Sequence, residues 1–312
     1  MAYLAKPSTR DKPVPEVRLR PRFPLWRKAL LAMGIGLLSL VVWAKTGASD
    51  GDTELTDTAS TAEACQTKLR ASRAQTYGAA YQVPSTFSIL SWNIYKAQNA
   101  HLLQDLTTLS QDVDIVLLQE ALEDERLEAL KPYWRFAPGY HSGDMQSGVM
   151  TLSRWPAAVH CQFSHDEPWL NTPKATNVVE YVLQNGERLL AINLHAINFT
   201  LGTQAYREQL SSAVALMLEH DGPIIFAGDL NSWSDSRRDI LTDLLEPLGL
   251  TATEFPEDNR TLTFGMALDY VWLRGVHISA AQVPVYESSD HNPLLVSLMI
   301  TEPKEASHAV QD

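Results

Sequence analysis

From Phe87 to Met299, short apolar runs rich in β-branched residues alternate with amphipathic helical segments. This alternation is the strongest constraint on what the chain can fold into. Two parts of the pattern carry carboxylates where a strand should end. Gly228-Asp229-Leu230-Asn231 follows the apolar run 223–227, and Ser289-Asp290-His291-Asn292-Pro293 lies downstream of the run 271–273. Charged groups just past buried strands are costly unless they are paired or bind a metal. The pattern therefore predicts a polar site along one edge of a sheet.

Apolar runs predict strands over 87–94, 113–118, 149–152, 158–163, 178–183, 189–194, 224–226, 270–273, 279–286 and 294–299. Helical spacing predicts helices over 101–110, 121–130, 206–220 and 238–248, with a further short helix within 63–81. Gln184-Asn185-Gly186-Glu187 separates two predicted strands and reads as a hairpin turn. Many strands with interspersed helices imply an α/β protein of two packed sheets covered by helices.

Residues 1–28 form a basic tail, and residues 1–44 carry eight Lys and Arg against Asp11 and Glu16. The uncharged apolar run 29–44 follows, flanked by Trp26 and Trp43 as interfacial anchors would be. It is slightly short of the ~20 residues a spanning helix needs. It reads as a membrane anchor, a signal segment or a soluble helix; the anchor reading gives membrane association through residues 25–44 and a body outside the cytoplasm, at a bacterial inner membrane facing the periplasm, and the soluble-helix reading a cytoplasmic protein. Residues 45–84 are rich in Thr, Ala, Ser and Asp and read as a linker, 85–301 as the folded domain, and 302–312 as a tail.

The whole chain carries −12, and the basic tail makes the remainder more acidic still. An acidic body repels a polyphosphate backbone, so no obligate nucleic-acid partner is expected. Cys65 and Cys161 fit no zinc spacing and allow at most one internal disulfide; two unpaired thiols are expected at least as much as a bridge.

Candidate chemical residues recur at the predicted strand ends. Asn93 closes one strand and Glu120 the next, and together they offer two hard oxygen ligands. Asn193 and His195 share one face of a strand by its two-residue period. Asp229 can accept a proton from water, and Asn231 can donate to a phosphate oxygen. Asp269 precedes a strand and is suited to orient His291 by fixing its tautomer. Asp290 and His291 are adjacent, so their side chains diverge. Lys96, Lys174 and Arg207 are the basic residues nearest these motifs, and Tyr140, Trp169 and Trp233 are candidate pocket aromatics.

The ordered set Trp92-Asn93, Gln119-Glu120, Asn193-x-His195, Gly228-Asp229-x-Asn231, Leu268-Asp269-Tyr270 and Ser289-Asp290-His291 resembles the endonuclease/exonuclease/phosphatase, or DNase I-like, superfamily over about Phe87 to Met299. The wording around Trp92–Lys96, Ser147–Ser153, His195–Phe199 and Ser289–Val296 is most similar to its bacterial YafD-like branch. The resemblance implies a four-layer α/β sandwich of two packed mixed sheets flanked by helices. It implies Mg2+, or Mn2+, held by Glu120 with Asn93 and Asp290. His291, held by Asp269, would contact the phosphate or act as base; Asp229 would orient or deprotonate water; Asn231 and His195 would bind the phosphoryl group.

The expected activity is hydrolysis of a small-molecule or lipid phosphoester by a metal-dependent phosphodiesterase or phosphatase. A nuclease on the same fold is the alternative, and a non-catalytic binding module is the alternative of another class. The short segment between Asn231 and Asp269 leaves little room for a DNA-penetrating loop.

Overall fold

A computed structural model describes residues 58–301, apart from Asp144, Trp169 and Asn171. In chain order the elements begin with α1 (Ala62–Arg73), β1 (Gln82–Val83), β2 (Thr86–Asn93), α2 (Leu102–Ser110), β3 (Ile115–Leu122) and α3 (Glu125–Glu128). There follow β4 (Tyr133–Ser142), β5 (Met145–Ser153), β6 (Val159–Asp166), β7 (Pro173–Leu183), β8 (Arg188–His195) and α4 (Gln204–Leu218). The last are β9 (Ile224–Asp229), α5 (Asp235–Leu245), β10 (Thr251–Ala252), β11 (Leu262–Thr263), β12 (Met266–Ala267), β13 (Asp269–Arg274), β14 (Val276–Gln282) and β15 (Leu294–Ile300).

Two mixed sheets result. The first runs β1-β7-β8-β9-β13-β10, with β6 also paired to β7; the second runs β14-β15-β2-β3-β5-β4. Strand periodicity explains how they stack. In β2, Phe87 and Ile89 face the first sheet, where they join Tyr181, Ala191, Ile225 and Val271 in one core. Leu90 and Trp92 of the same strand face the other way and pack with Leu102 and Leu106 of α2. On the far side of the first sheet, Leu190, Ile192 and Phe226 meet Leu210 and Leu216 of α4 and Leu241 of α5. The order is helix, sheet, sheet, helix, so central strands are buried on both faces and read as continuous apolar runs.

Several elements differ from the sequence reading. The helix expected over 121–130 is four residues long, because β3 continues through Leu122 and pairs with Ser147 of β5. Asp124 then caps α3 by accepting a hydrogen bond from the Arg126 amide at 2.8 Å. Strand β4 was not expected: Pro138 and Gly139 break its pattern, and it lies at the sheet edge with a register shift after Pro138. The strand expected over 279–286 is Val276–Gln282, ending before Pro284, which has no N–H to give to a ladder.

The stretch assigned to a linker contains α1, whose Cys65 and Leu69 are buried in the core of the first sheet. Cys65 and Cys161 form a disulfide that ties α1 to β6, so the unpaired-thiol alternative does not hold. The basic tail, the candidate anchor 29–44 and the tail 302–312 lie outside the described residues. Among the described residues no helix is long and apolar enough to cross a membrane.

Candidate active site

Sheet register brings three of the expected residues to neighbouring strand ends. His195 of β8 is the parallel partner of Asp229 in β9, and Asp229 is the antiparallel partner of Asp269 in β13. The approach of β8 and β9 depends on Gly228, whose φ is +143° and where a Cβ would lie 2.0 Å from the Leu194 carbonyl oxygen. The second sheet meets them across the sandwich: Asn93 at the end of β2 donates from Nδ2 to Asp229 Oδ2 at 2.9 Å. Beneath this contact, buried Gln119 donates to Asn193 Oδ1 at 2.8 Å, and Asn193 donates to the carbonyls of Leu118 and Met150.

Glu120 reaches the cleft through a backbone irregularity. The pairing of β3 with β5 shifts between Gln119 and Ala121, and Glu120 between them has φ +50°. Its neighbours Gln119 and Ala121 are fully buried. The bulge turns the carboxylate out of the sheet, a common use of bulges beside functional sites. Glu120 pairs with Lys96, and its Oε1 lies 4.0 Å from His195 Nε2.

His291 is set by its surroundings on three sides. Its Nδ1 lies 2.7 Å from Asp269 Oδ2, and its Nε2 lies 3.9 Å from Asp229 Oδ2. Trp92 Nε1 donates to the His291 carbonyl at 2.7 Å, and Ser289 Oγ donates to the Asn93 carbonyl at 2.7 Å. Burial opposes charge on this imidazole, but Asp269, by charge and hydrogen bond, and Asp229 outweigh it and push the pKa up to about 10. Asp229 moves the other way from a usual carboxylate. Burial raises its pKa to about 6, and the charge of Asp269 adds to the shift while His291 and Asn93 oppose it. His195 stays neutral: burial, then the charges of Lys174 and His291, hold its pKa well below the ordinary value.

Asp229, Asp269 and His291 each offer a ligand atom, all within 4.8 Å of one another, a group that could hold a metal ion. Burial first, and then the charge of Asp269, raise the Asp229 pKa, a cost that a divalent cation beside the two carboxylates would offset; His291, which carries its proton between them, does not serve as a metal ligand in that state. Glu120 adjoins this group through His195, whose Nε2 is also 3.5 Å from Asp229 Oδ2. Asp290 is exposed, in contact with Ser289 Oγ at 3.4 Å, and is not one of the three. Asn231 (φ +46°) directs its amide inward, donating from Nδ2 to the Ala196 carbonyl at 2.9 Å. Lys174 Nζ is 3.0 Å from His195 Nε2. Lys96, Lys174 and Tyr140 line the cleft beside Glu120 and His195, whereas Arg207 pairs with Asp243 at 3.7 Å. Trp169 lies outside the described residues.

A set of residues that the motifs did not mark fixes the loop 195–199. Gln209 Nε2 donates to the His195 carbonyl, and Gln209 Oε1 accepts from the Ile197 amide. Buried Arg237 donates to the carbonyls of Ile197, Asn198 and Asn231, with its guanidinium against the rings of Tyr206 and Trp233. Buried Glu167 accepts from the amides of Asn198 at 2.6 Å and Phe199 at 3.1 Å. Trp233 Nε1 donates to Asn198 Oδ1 at 2.9 Å. Gln209 and Arg237 lie on amphipathic helices, where each reads as one more solvated polar residue; the only local hint is its place on the apolar face.

This fold, with a buried carboxylate–imidazole cluster at its strand ends, defines a class in which a profile of the Endonuclease/Exonuclease/phosphatase family matches residues 90–291, and the chain belongs to that family. Among relatives, a UPF0294 protein of Vibrio vulnificus strain CMCP6 is 38% identical over 229 residues, covering 70% of this chain and 79% of that one. The structure is similar to that of an endonuclease/exonuclease/phosphatase from Bacteroides vulgatus, with a TM-score of 0.54 at 15% identity over 69% of this chain and 99% of the other. It is also similar to a mannosyl-6-phosphatase of Bacteroides thetaiotaomicron, with a TM-score of 0.51 at 14% identity over 69% of this chain and all of that one.

Proposed function

We propose that the protein is a divalent-metal-dependent phosphoesterase acting on a small-molecule or lipid phosphoester, and that it lies in the YafD-like branch of its family. The observation that carries this reading is the cluster of Asp229, Asp269, His195 and His291 at adjoining strand ends, with Glu120 beside it. Glu120, with Asn93 next to it, would hold Mg2+, and Mn2+ is an alternative. The ion supplies charge to stabilise the phosphoryl oxygens and the leaving oxygen.

The remaining work falls to side chains. With a pKa pushed up to about 10, His291 is cationic at neutral pH and unsuited to be a base. Asp229, raised to about 6, is ionised at neutral pH while still a better proton acceptor than an exposed aspartate. In the proposed reaction Asp229 takes a proton from the attacking water as the P–O bond to the alcohol breaks, His291 donates a hydrogen bond from Nε2 to a phosphoryl oxygen, and the departing alkoxide takes its proton from solvent. Asp269 holds His291 in that tautomer and stabilises its charge. Neutral His195 and the Lys174 ammonium bind the phosphoryl group.

We also propose that the catalytic domain works outside the cytoplasm, with residues 29–44 as its anchor. The disulfide between Cys65 and Cys161 supports this location, since such bridges persist mainly in oxidising compartments. The test of function is a phosphoester panel with Mg2+ on the purified protein. Release of phosphate or a head group that stops with EDTA and in Glu120→Ala and His291→Ala supports the reading. Nicking of plasmid DNA with every small ester left intact moves the assignment to a nuclease. Turnover indifferent to both substitutions removes the catalytic reading.

A further inference from the structure

The cleft beside the site has a volume of about 270 Å³ and two kinds of wall. Glu120, His195, Lys96 and Lys174 are among its lining residues, and so are Leu170 and Phe199. Leu170 is 53% exposed and Phe199 61% exposed. Single exposed apolar residues are common on protein surfaces. These two are different because they border a cleft that also holds two ammonium groups in a protein of net charge −12.

The backbone that carries Phe199 is held with unusual care. Between His195 and Phe199 its groups are engaged by Gln209, Asn231, Arg237 and Glu167. Burying an arginine and a glutamate is expensive, so a clamp of this kind has a use. Positioning His195 accounts for the contacts as far as Ala196. It does not account for the amides of Asn198 and Phe199, both of which donate to Glu167, nor for an apolar ring left at the cleft wall. A rigidly presented aromatic lowers the ordering cost of binding, which is how fixed aromatic anchors gain affinity.

Building on the phosphoesterase reading, we infer that this cleft is a specificity subsite for an apolar group ester-linked to the reacting phosphate. The apolar group rests against Phe199 and Leu170, and the phosphate is met by Lys174 and His195. An aryl group and a long alkyl chain share this chemistry, and the subsite selects either over a polar alcohol such as glycerol.

The test is binding of non-hydrolysable phosphonates to the full chain with Mg2+ present, followed by calorimetry. Phenylphosphonate should bind about tenfold more tightly than methylphosphonate. Phe199→Ala should remove most of that difference, Phe199→Leu should keep most of it, and Lys174→Met should weaken both ligands alike. Octylphosphonate in a parallel titration separates an alkyl preference from an aryl one. Equal affinities for phenyl- and methylphosphonate, binding of neither, or a difference untouched by Phe199→Ala overturns the inference. Discrimination without hydrolysis of any ester upholds the subsite and counts against the catalytic reading; hydrolysis without discrimination does the reverse.

Discussion

His291 Nδ1 lies 2.7 Å from Asp269 Oδ2, and both side chains are buried. The bond fixes the imidazole as a cation whose Nε2 faces Asp229. Asp269→Asn keeps the shape and removes the charge, so it should lower kcat by about 10²–10⁴-fold with little change in KM. Steady-state kinetics on a hydrolysed phosphoester check this, with thermal melts to show that the variant is folded.

The same pair sets a pH window for stability. A histidine whose pKa rises from 6.5 to about 10 on folding contributes stability that is fully present below pH 6.5 and is lost as pH rises through about 10. In EDTA, urea midpoints of the wild type and His291→Gln should therefore converge between pH 7 and pH 11. A gap that stays constant over that range would show that His291 keeps no raised pKa.

Glu120 is paired with Lys96 and should be the principal metal ligand. Glu120→Gln removes one negative charge from the site and should weaken Mg2+ binding by more than about tenfold, since ligand charge sets affinity at oxygen sites. Calorimetric titration of the metal measures this without reference to turnover.

The buried guanidinium of Arg237 satisfies three backbone carbonyls. Arg237→Met keeps volume and leaves those carbonyls without a donor, at roughly 1–3 kcal/mol each. The expected loss is at least about 3 kcal/mol by urea unfolding, with a KM that rises as the loop 195–199 loosens. Arg237→Lys should recover only part of it, because an ammonium cannot reproduce the planar fork.

The disulfide closes a loop between positions 96 residues apart. Replacing both cysteines with serine should cost about 2–4 kcal/mol, read by denaturation with and without reductant. The site residues lie on β2, β3, β7, β8, β9 and β13 and in the loop before β15, and none is on α1 or β6, so activity at low temperature should survive.

Strand positions were legible because burial on both faces leaves long apolar runs, as in 189–194 and 224–226. The site motifs were legible because polar residues interrupt those runs where the strands end, as at His195 and Asp229. The helix expected over 121–130 failed for a related reason. Pairing with β5 kept Ala121 and Leu122 in the strand, and only Glu125–Glu128 stayed helical.

The amino-acid sequence by itself determined the two-sheet class and the strand ends that carry polar residues, and its ordered motifs marked Asp229, Asp269 and His291 as candidates. Tertiary structure decided which strand ends became neighbours, because register between distant segments depends on packing that no local period encodes. It turned Glu120 into the cleft through a bulge, joined Cys65 to Cys161, and drew Arg237, Glu167 and Gln209 from separate elements onto one loop. Each of those outcomes is a long-range contact, and its energy exists only once the sheets have met.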